Sequence, residues 1–275
     1  MNRLSLADRA RILSCLIEGN SLRATARMVD VSLNTVIKFV RDLGAACAMY
    51  QNETLRNLKS KRVQCDEIWS FVGAKEKNVS KLERRFGRGD IYTWVAIDAD
   101  TKLVISWMVG RRDWKYAEVF IGDLASRLAN RVQLSTDGHH AYLNAVERTI
   151  GGQIDYAMLQ KMYGKPEGKG DERRYSSGEC CGAIKGTVCG EPDWDHISTS
   201  YIERQNLTMR MGMRRFTRLT NGFSKKVENH DYAVAIHYMH YNFGRIHKSL
   251  RVTPAMEAGI ADHAWSLEEI AKLAD

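Results

Sequence analysis

Asp66 lies inside an apolar, β-branched stretch, Asp137 closes a short apolar run beside Gly138, and Glu203 stands in the first turn of a helical pattern. Carboxylates gathered from such distant positions are what two-metal phosphoryl transfer requires. Two ions about 4 Å apart activate the attacking oxygen and stabilise the leaving one. Mg²⁺ (or Mn²⁺) suits this chemistry, because it takes hard oxygen ligands and leaves much of its shell to phosphate and water. Glu67 follows Asp66 directly. Strand side chains alternate between faces, so only one of the two is expected as a ligand. Taken singly, each carboxylate has an ordinary explanation: an Asp at a strand end is commonly a turn former, and a Glu in a first helical turn a partner of the helix dipole. Only their combination points to catalysis.

The helical pattern over 200–219 places further groups near Glu203. At about 100° per residue, Asn206, Arg210 and Arg214 fall within about 60° of Glu203, on one polar stripe. Ile202, Met209, Met213 and Phe216 form the flank that would pack on a sheet. Glu203 is therefore expected at the border of core and solvent, with Asn206 and Arg210 able to orient it and hold phosphate. Seven basic side chains against one acidic over 203–226, among them Arg214, Arg215 and Arg218, would line a DNA path and make binding salt-dependent. An ordinary solvated helix face would look similar.

The elements that must carry these groups read as an α/β domain. Residues 63–72, 91–97 and 103–109 are strand-like, the last two joined by turn residues at 98–102 as a hairpin. Residues 74–90 read as a charged loop. An amphipathic helix over 114–128, a buried strand over 132–136, a helix over 141–150 and a strand over 154–159 follow. Three strands, then helix, strand, helix, strand and long helices is the order of a ribonuclease-H-like mixed sheet flanked by helices.

Residues 1–44 read as an all-α helix-turn-helix. Ser5, Ser21 and Ser32 are candidate caps for three helices, and Asp30 can take the left-handed turn conformation. In the third helix Ser32, Asn34 and Thr35 are candidates for base edges, and Lys38 and Arg41 for phosphates. A helical packing unit or dimerisation element would show the same caps. The expected organisation is a helix-turn-helix over 1–44, a helical linker over 45–61, a ribonuclease-H-like domain over 62–221 with an insertion at 160–197, and C-terminal helices over 222–275.

The 41 Lys and Arg exceed the 33 Asp and Glu, a net charge of +8 compatible with an anionic partner such as double-stranded DNA. No run of about 18 apolar residues argues for a span, and residues 1–19 lack the apolar centre of a signal peptide. Six cysteines then read as reduced thiols, and the expected location is the cytoplasm, or the nucleoid when bound to DNA.

Several motifs together resemble one family. Asp66-Glu67-Ile68-Trp69-Ser70-Phe71-Val72-Gly73, Thr136-Asp137-Gly138 with Tyr142, and Ile202-Glu203-Arg204-Gln205-Asn206-Leu207-Thr208-Met209-Arg210 resemble the IS1 family of bacterial insertion-sequence transposases. Trp94-Val95-Ala96-Ile97-Asp98, Gly110-Arg111-Arg112 and Phe223-Ser224-Lys225-Lys226 add to the likeness, which spans roughly residues 60–245. The resemblance implies an Asp-Asp-Glu triad at Asp66, Asp137 and Glu203, with the family's basic partner on the glutamate helix at Arg210. It implies cleavage at the ends of a mobile element and attack of the freed 3′-hydroxyl on target DNA. Synapsis of two ends implies at least a dimer.

Two features depart from the family pattern. Asp137 and Glu203 are separated by 66 positions, and the surplus falls in the Gly- and charge-rich insertion with Cys180, Cys181 and Cys189. With His196 these cysteines could be offered to zinc, but no Cys-x-x-Cys pair is present and free thiols are the expectation. The paired-cysteine zinc module that many family members carry before the helix-turn-helix is also missing. Two other functions fit parts of the sequence: a helix-turn-helix transcriptional regulator, and a related nuclease that cuts without rejoining. The regulator does not require Asp66, Asp137 and Glu203 to converge.

Overall fold

The computed structural model describes residues 4–164, 180–217 and 221–275. Arg218 and the middle of the expected insertion lie outside the described residues. Three helices open the chain: α1 (Leu6–Ile17), α2 (Leu22–Val29) and α3 (Leu33–Thr54). Each starts where a serine hydroxyl accepts an otherwise unpaired amide, Ser5 from Asp8, Ser21 from Ala24 and Ser32 from Thr35. Asp30 ends α2 at φ 56°, so a short polar side chain makes the left-handed turn into α3. Residues 45–54 continue α3 without a break instead of forming a separate linking helix.

The centre is a six-stranded sheet among the described residues. Its strands are β1 (Arg62–Val72), β2 (Gly89–Asp98), β3 (Val104–Gly110), β4 (Gln133–Thr136), β5 (Asp155–Tyr163) and β6 (Cys180–Cys189), in the order β3-β2-β1-β4-β5-β6. β1, β2 and β3 are antiparallel neighbours, β4 and β5 run parallel to β1, and β6 returns antiparallel along β5. Helices α5 (Trp114–Arg127) and α6 (Ala141–Thr149) cover one face. Helices α7 (Ser200–Gly212) and α8 (Val227–Met239) cover the other. This is a ribonuclease-H-like fold.

Alternation along β1 explains the two cores. Val63 and Cys65 join Trp94, Phe120, Leu124 and Tyr142 on the α5/α6 side. Ile68 joins Val95, Ile202, Met209, Val234 and Tyr238 on the α7/α8 side. From Tyr232 onward helix α8 is largely apolar because it is covered twice, by the sheet and by α3. A Cβ at Gly44 would stand 2.4 Å from the Tyr232 Cβ, so glycine is what lets α3 and α8 approach. Gln51 Nε2 donates to the Ala235 carbonyl at 3.0 Å in the same seam.

Three further sequence expectations change. Residues 74–90 contain a 3₁₀ turn (Glu76–Asn78) and a short helix α4 (Lys81–Arg85) with a Ser80/Glu83 capping box. The helix expected over 200–219 stops at Gly212, and a 3₁₀ turn (Arg214–Phe216) follows. Glycine is a weak helix former, and the turn still buries Met213 and Phe216 in the core that a longer helix would have served. Helix α8 ends at Met239 in a π turn (His240–Gly244), where the Asn242 side chain bonds both the amide and the carbonyl of Val104. The insertion supplies sheet: β5 runs on to Tyr163 and pairs with β6, which the glycines and charges of that stretch had hidden. Two short helices, α9 (Pro254–Glu257) and α10 (Leu267–Lys272), close the chain. Among the described residues, no helix is long and apolar enough to cross a membrane.

Candidate active site

The parallel pairing of β1 with β4 runs from Arg62↔Gln133 to Cys65↔Thr136 and then stops. Asp66 and Asp137 are the next residues on the two strands, so the backbone sets them side by side where the sheet opens. Thr136, fully buried, is held by a 2.9 Å hydrogen bond between its hydroxyl and that of Tyr156 on β5. Asp137 Oδ1 accepts the His139 amide at 2.9 Å, which fixes the turn after β4. Asp66 Oδ1 accepts the Glu67 amide at 2.7 Å, and its Oδ2 accepts Asn206 Nδ2 from α7 at 2.8 Å.

Alternation sends Asp66 and Glu67 to opposite faces, so only one of them is expected as a ligand, yet Glu67 lies closer to the site than alternation leads one to expect. Its side chain does leave the strand toward the α5/α6 face, where Tyr142 and Arg112 surround it. Yet carboxylate oxygens of Asp66, Glu67 and Asp137 all lie within 4.8 Å of one another. Alternation governs where Cβ points, whereas the carboxylates reach round the edge of β1 beyond the last β4 pair. The Glu67 side chain is 1% exposed, and Arg112 Nε donates to its Oε2 at 3.2 Å. Arg112 Nη2 also stands 3.6 Å from Asp137 Oδ2, so one guanidinium bridges two of the three acids. Gly110-Arg111-Arg112 was noted in the sequence only as part of a motif, with nothing to connect it to residues 25 and 45 positions away.

Such crowding raises proton affinity. Burial, reinforced by the Asp137 charge, pushes the Asp66 carboxyl up to about 6. Burial and Asp137 push Glu67 up to about 8, with Arg112 opposing. Among the described residues, Asn206 Oδ1 is buried with no hydrogen-bond partner, and the Tyr142 hydroxyl is the neighbour available to Glu67. Clustered carboxylates form a hard-donor set that fits a divalent cation, which would relieve their repulsion.

Glu203 is positioned from the other side. Gln64 on β1 accepts the Tyr201 and Ile202 amides through Oε1 at 2.9 and 3.1 Å, capping α7 and tying it to the strand that carries Asp66. Glu203 lies near enough for its charge to add to the rise at Asp66, but it does not belong to the cluster within 4.8 Å. Its carboxylate instead takes Lys161 Nζ at 2.6 and 2.5 Å and Thr199 Oγ1 at 2.7 Å. Asn206, expected to help Glu203, bonds Asp66. Arg210 is half-buried one helical repeat further along α7.

The expected DNA-contacting residues are placed as follows. Ser32, Asn34, Lys38 and Arg41 are exposed along the first turns of α3, and Thr35 is half-buried. The Ser32 and Thr35 hydroxyls are 2.8 Å apart at the cap, and Lys38 and Arg41 both pair with Asp42. Arg214 is exposed beyond the end of α7, off the stripe expected of a longer helix. Arg215 turns inward: its Nη1 donates to Ser224 Oγ at 2.7 Å, and burial lowers its proton affinity to about 10. Cys180 and Cys189 occupy opposite ends of β6, roughly 30 Å apart along an extended strand, so they cannot share one zinc ion.

No family model matches the chain, and no curated protein does. Among solved structures the chain is similar to the Mos1 transposase paired-end complex with left transposon end, at 13% identity over 57% of this chain and 60% of that one, with a TM-score of 0.23. It is similar to the Mos1 strand transfer complex at 14% identity over 55% and 57% of the two chains, again with a TM-score of 0.23. The chain thus covers less than two thirds of the length of these structures. Overlap this loose carries no weight for function, and the fold assignment rests on strand order and pairing.

Proposed function

We propose that this chain is a DNA transposase of the Asp-Asp-Glu type, of the IS1 family, that uses Mg²⁺ or Mn²⁺ to cut element ends and join them to target DNA. The observation that carries the reading is the meeting of Asp66, within β1 just beyond its last pair with β4, and Asp137, just past the end of β4, with α7 bringing Asn206 onto Asp66 and Glu203 alongside. A regulator would have no need of that convergence. When bound, two ions would activate the attacking oxygen and stabilise the leaving one. Asp66 and Asp137 would be the sheet-borne ligands, Glu203 the helix-borne one, and Asn206 would hold the Asp66 carboxylate in orientation. Arg210, on the same helix, would bind phosphate.

The first three helices would serve as the helix-turn-helix of residues 1–44, with Ser32, Asn34 and Thr35 toward base edges and Lys38 and Arg41 toward phosphates. Arg214 would extend the basic path beside the site, whereas Arg215 supports the turn from within. On this reading residues 62–221 are the catalytic domain, 222–275 its C-terminal support, and the active form is at least a dimer in the bacterial cytoplasm on the nucleoid.

The test incubates the full chain with Mg²⁺, a labelled duplex bearing the terminal inverted repeats that flank its gene, and a target plasmid. Cleaved ends and end–plasmid joints are expected. Asp66→Ala and Glu203→Gln are expected to abolish both while leaving salt-sensitive duplex binding nearly intact. Cut ends that never join would make the protein a nuclease instead, and binding without cutting would leave a regulator.

A further inference from the structure

We propose that Lys161 is a positioning residue that holds the place of a cation on Glu203: its ammonium occupies the carboxylate in the metal-free protein, and a divalent ion must displace it. This rests on the reading of Asp66, Asp137 and Glu203 as a metal site. Lys161 Nζ lies 2.6 Å from Oε1 and 2.5 Å from Oε2, the two-oxygen position a bidentate cation would take. Thr199 Oγ1 donates to the same Oε1 at 2.7 Å, so the carboxylate is held toward Lys161 while the other acids form their own cluster.

The sheet explains why the lysine stands there. The pairing of β4 with β5 ends at Thr136↔Met158, and β5 continues beyond it, gripped on its far side by β6 with Lys161 opposite Ala183. Asp66 and Asp137 thus stand just beyond the last β1–β4 pair, and Lys161 follows a little further along β5, the next parallel strand, so two anionic side chains and one cation share the region where these pairings stop. The backbone of Lys161 is fixed by this pairing, whereas Glu203 sits on a helix tethered at its N-terminus by Gln64. The Lys161 and Glu203 side chains are 26% and 41% exposed, so the pair is wet enough to exchange for an ion.

An ordinary surface ion pair would have the same distances, and metal affinity separates the two cases. Mn²⁺ alone is titrated calorimetrically into the full-length chain without DNA. Lys161→Met is expected to bind Mn²⁺ about five-fold tighter, the scale of one exposed ion pair no longer competing. Lys161→Arg, which keeps the charge, is expected to bind no tighter than the parent. In a Glu203→Gln background, Lys161→Met is expected to change nothing, since the contested carboxylate is gone. Unaltered affinity in Lys161→Met with an unaltered melting curve overturns the inference. So does tightening that survives in Glu203→Gln, which would be a field effect unrelated to this contact. Lys161→Gln repeats the measurement should Lys161→Met misfold. If Asp66→Asn also leaves Mn²⁺ binding untouched, the metal-site reading itself falls, an outcome distinct from failure of Lys161 alone.

Discussion

The two sides of the acidic site are built by different means. Asp66 and Asp137 are one residue past the last pair of two hydrogen-bonded strands, so their separation is set by sheet geometry. Glu203 stands on a helix tied to the sheet at its N-terminus by Gln64 and again by its own Asn206, which donates to Asp66, and its carboxylate is engaged by Lys161. The strand-borne pair is preorganised and repulsive, whereas the helix-borne acid is adjustable and neutralised. A two-metal site benefits from both, since two fixed ligands define where an ion sits and a third can close on it afterwards.

Breaking the fixed side should have the largest effect. Asp137→Asn is expected to lower end cleavage by about 1,000-fold or more, measured in single-turnover assays with Mg²⁺, because a neutral amide replaces a ligand. The same change should raise the melting temperature of the metal-free protein, since it removes a charge that disfavours ionised Asp66 and Glu67. A fall in both activity and stability would mean that Asp137 serves the fold and not the site.

On the adjustable side the effect should be smaller. Gln64→Ala strips two α7 amides of their acceptor and is expected to cost about 1 kcal/mol, a few degrees in a thermal melt. Cleavage should fall about ten-fold through looser placement of Glu203. Mn²⁺ binding by Asp66→Asn should be hurt far more than by Gln64→Ala; equal losses would erase the distinction between the two sides.

The smallest effect separates the sides by pH. In the folded protein Asp66 and Glu67 hold protons up to about 6 and about 8, against about 4 for unfolded carboxylates. Below about pH 6.5 the buried His230, His237 and His240, held near 3 to 4, take up protons only on unfolding and oppose this. Above it the raised Glu67 carboxyl governs, so stability of the metal-free protein falls as pH rises from about 7 to about 8. Melting curves should show a decline of a few degrees over that window, flattened by Glu67→Gln. A rise over it would contradict the assigned crowding.

The sequence made five of the six strands among the described residues, the first three helices and the placement of Asp66 and Asp137 on the sheet legible, because alternation, serine caps and strand ends are local signals. The nearness of Glu67 to Asp66 and Asp137 was not legible, because alternation speaks of Cβ direction and not of where a two-carbon stem ends. Arg112 and Lys161 were invisible as site residues, since each meets its partner across more than 20 positions with no local pattern to mark it. The end of α7 was hidden by Met213 and Phe216, which fit a longer helical face yet reach the same core from a 3₁₀ turn.

The hydrogen bonds from the Tyr201 and Ile202 amides to Gln64 close a loop of about 137 residues. Contacts this distant in sequence form late and slowly. A chain still being synthesised, or clipped before residue 200, already owns β1, β4 and both strand-borne acids, but lacks the helix that brings the third. On the proposed reading such a fragment would hold the two strand-borne acids in place and still be unable to cut, because α7 and Glu203 would be missing.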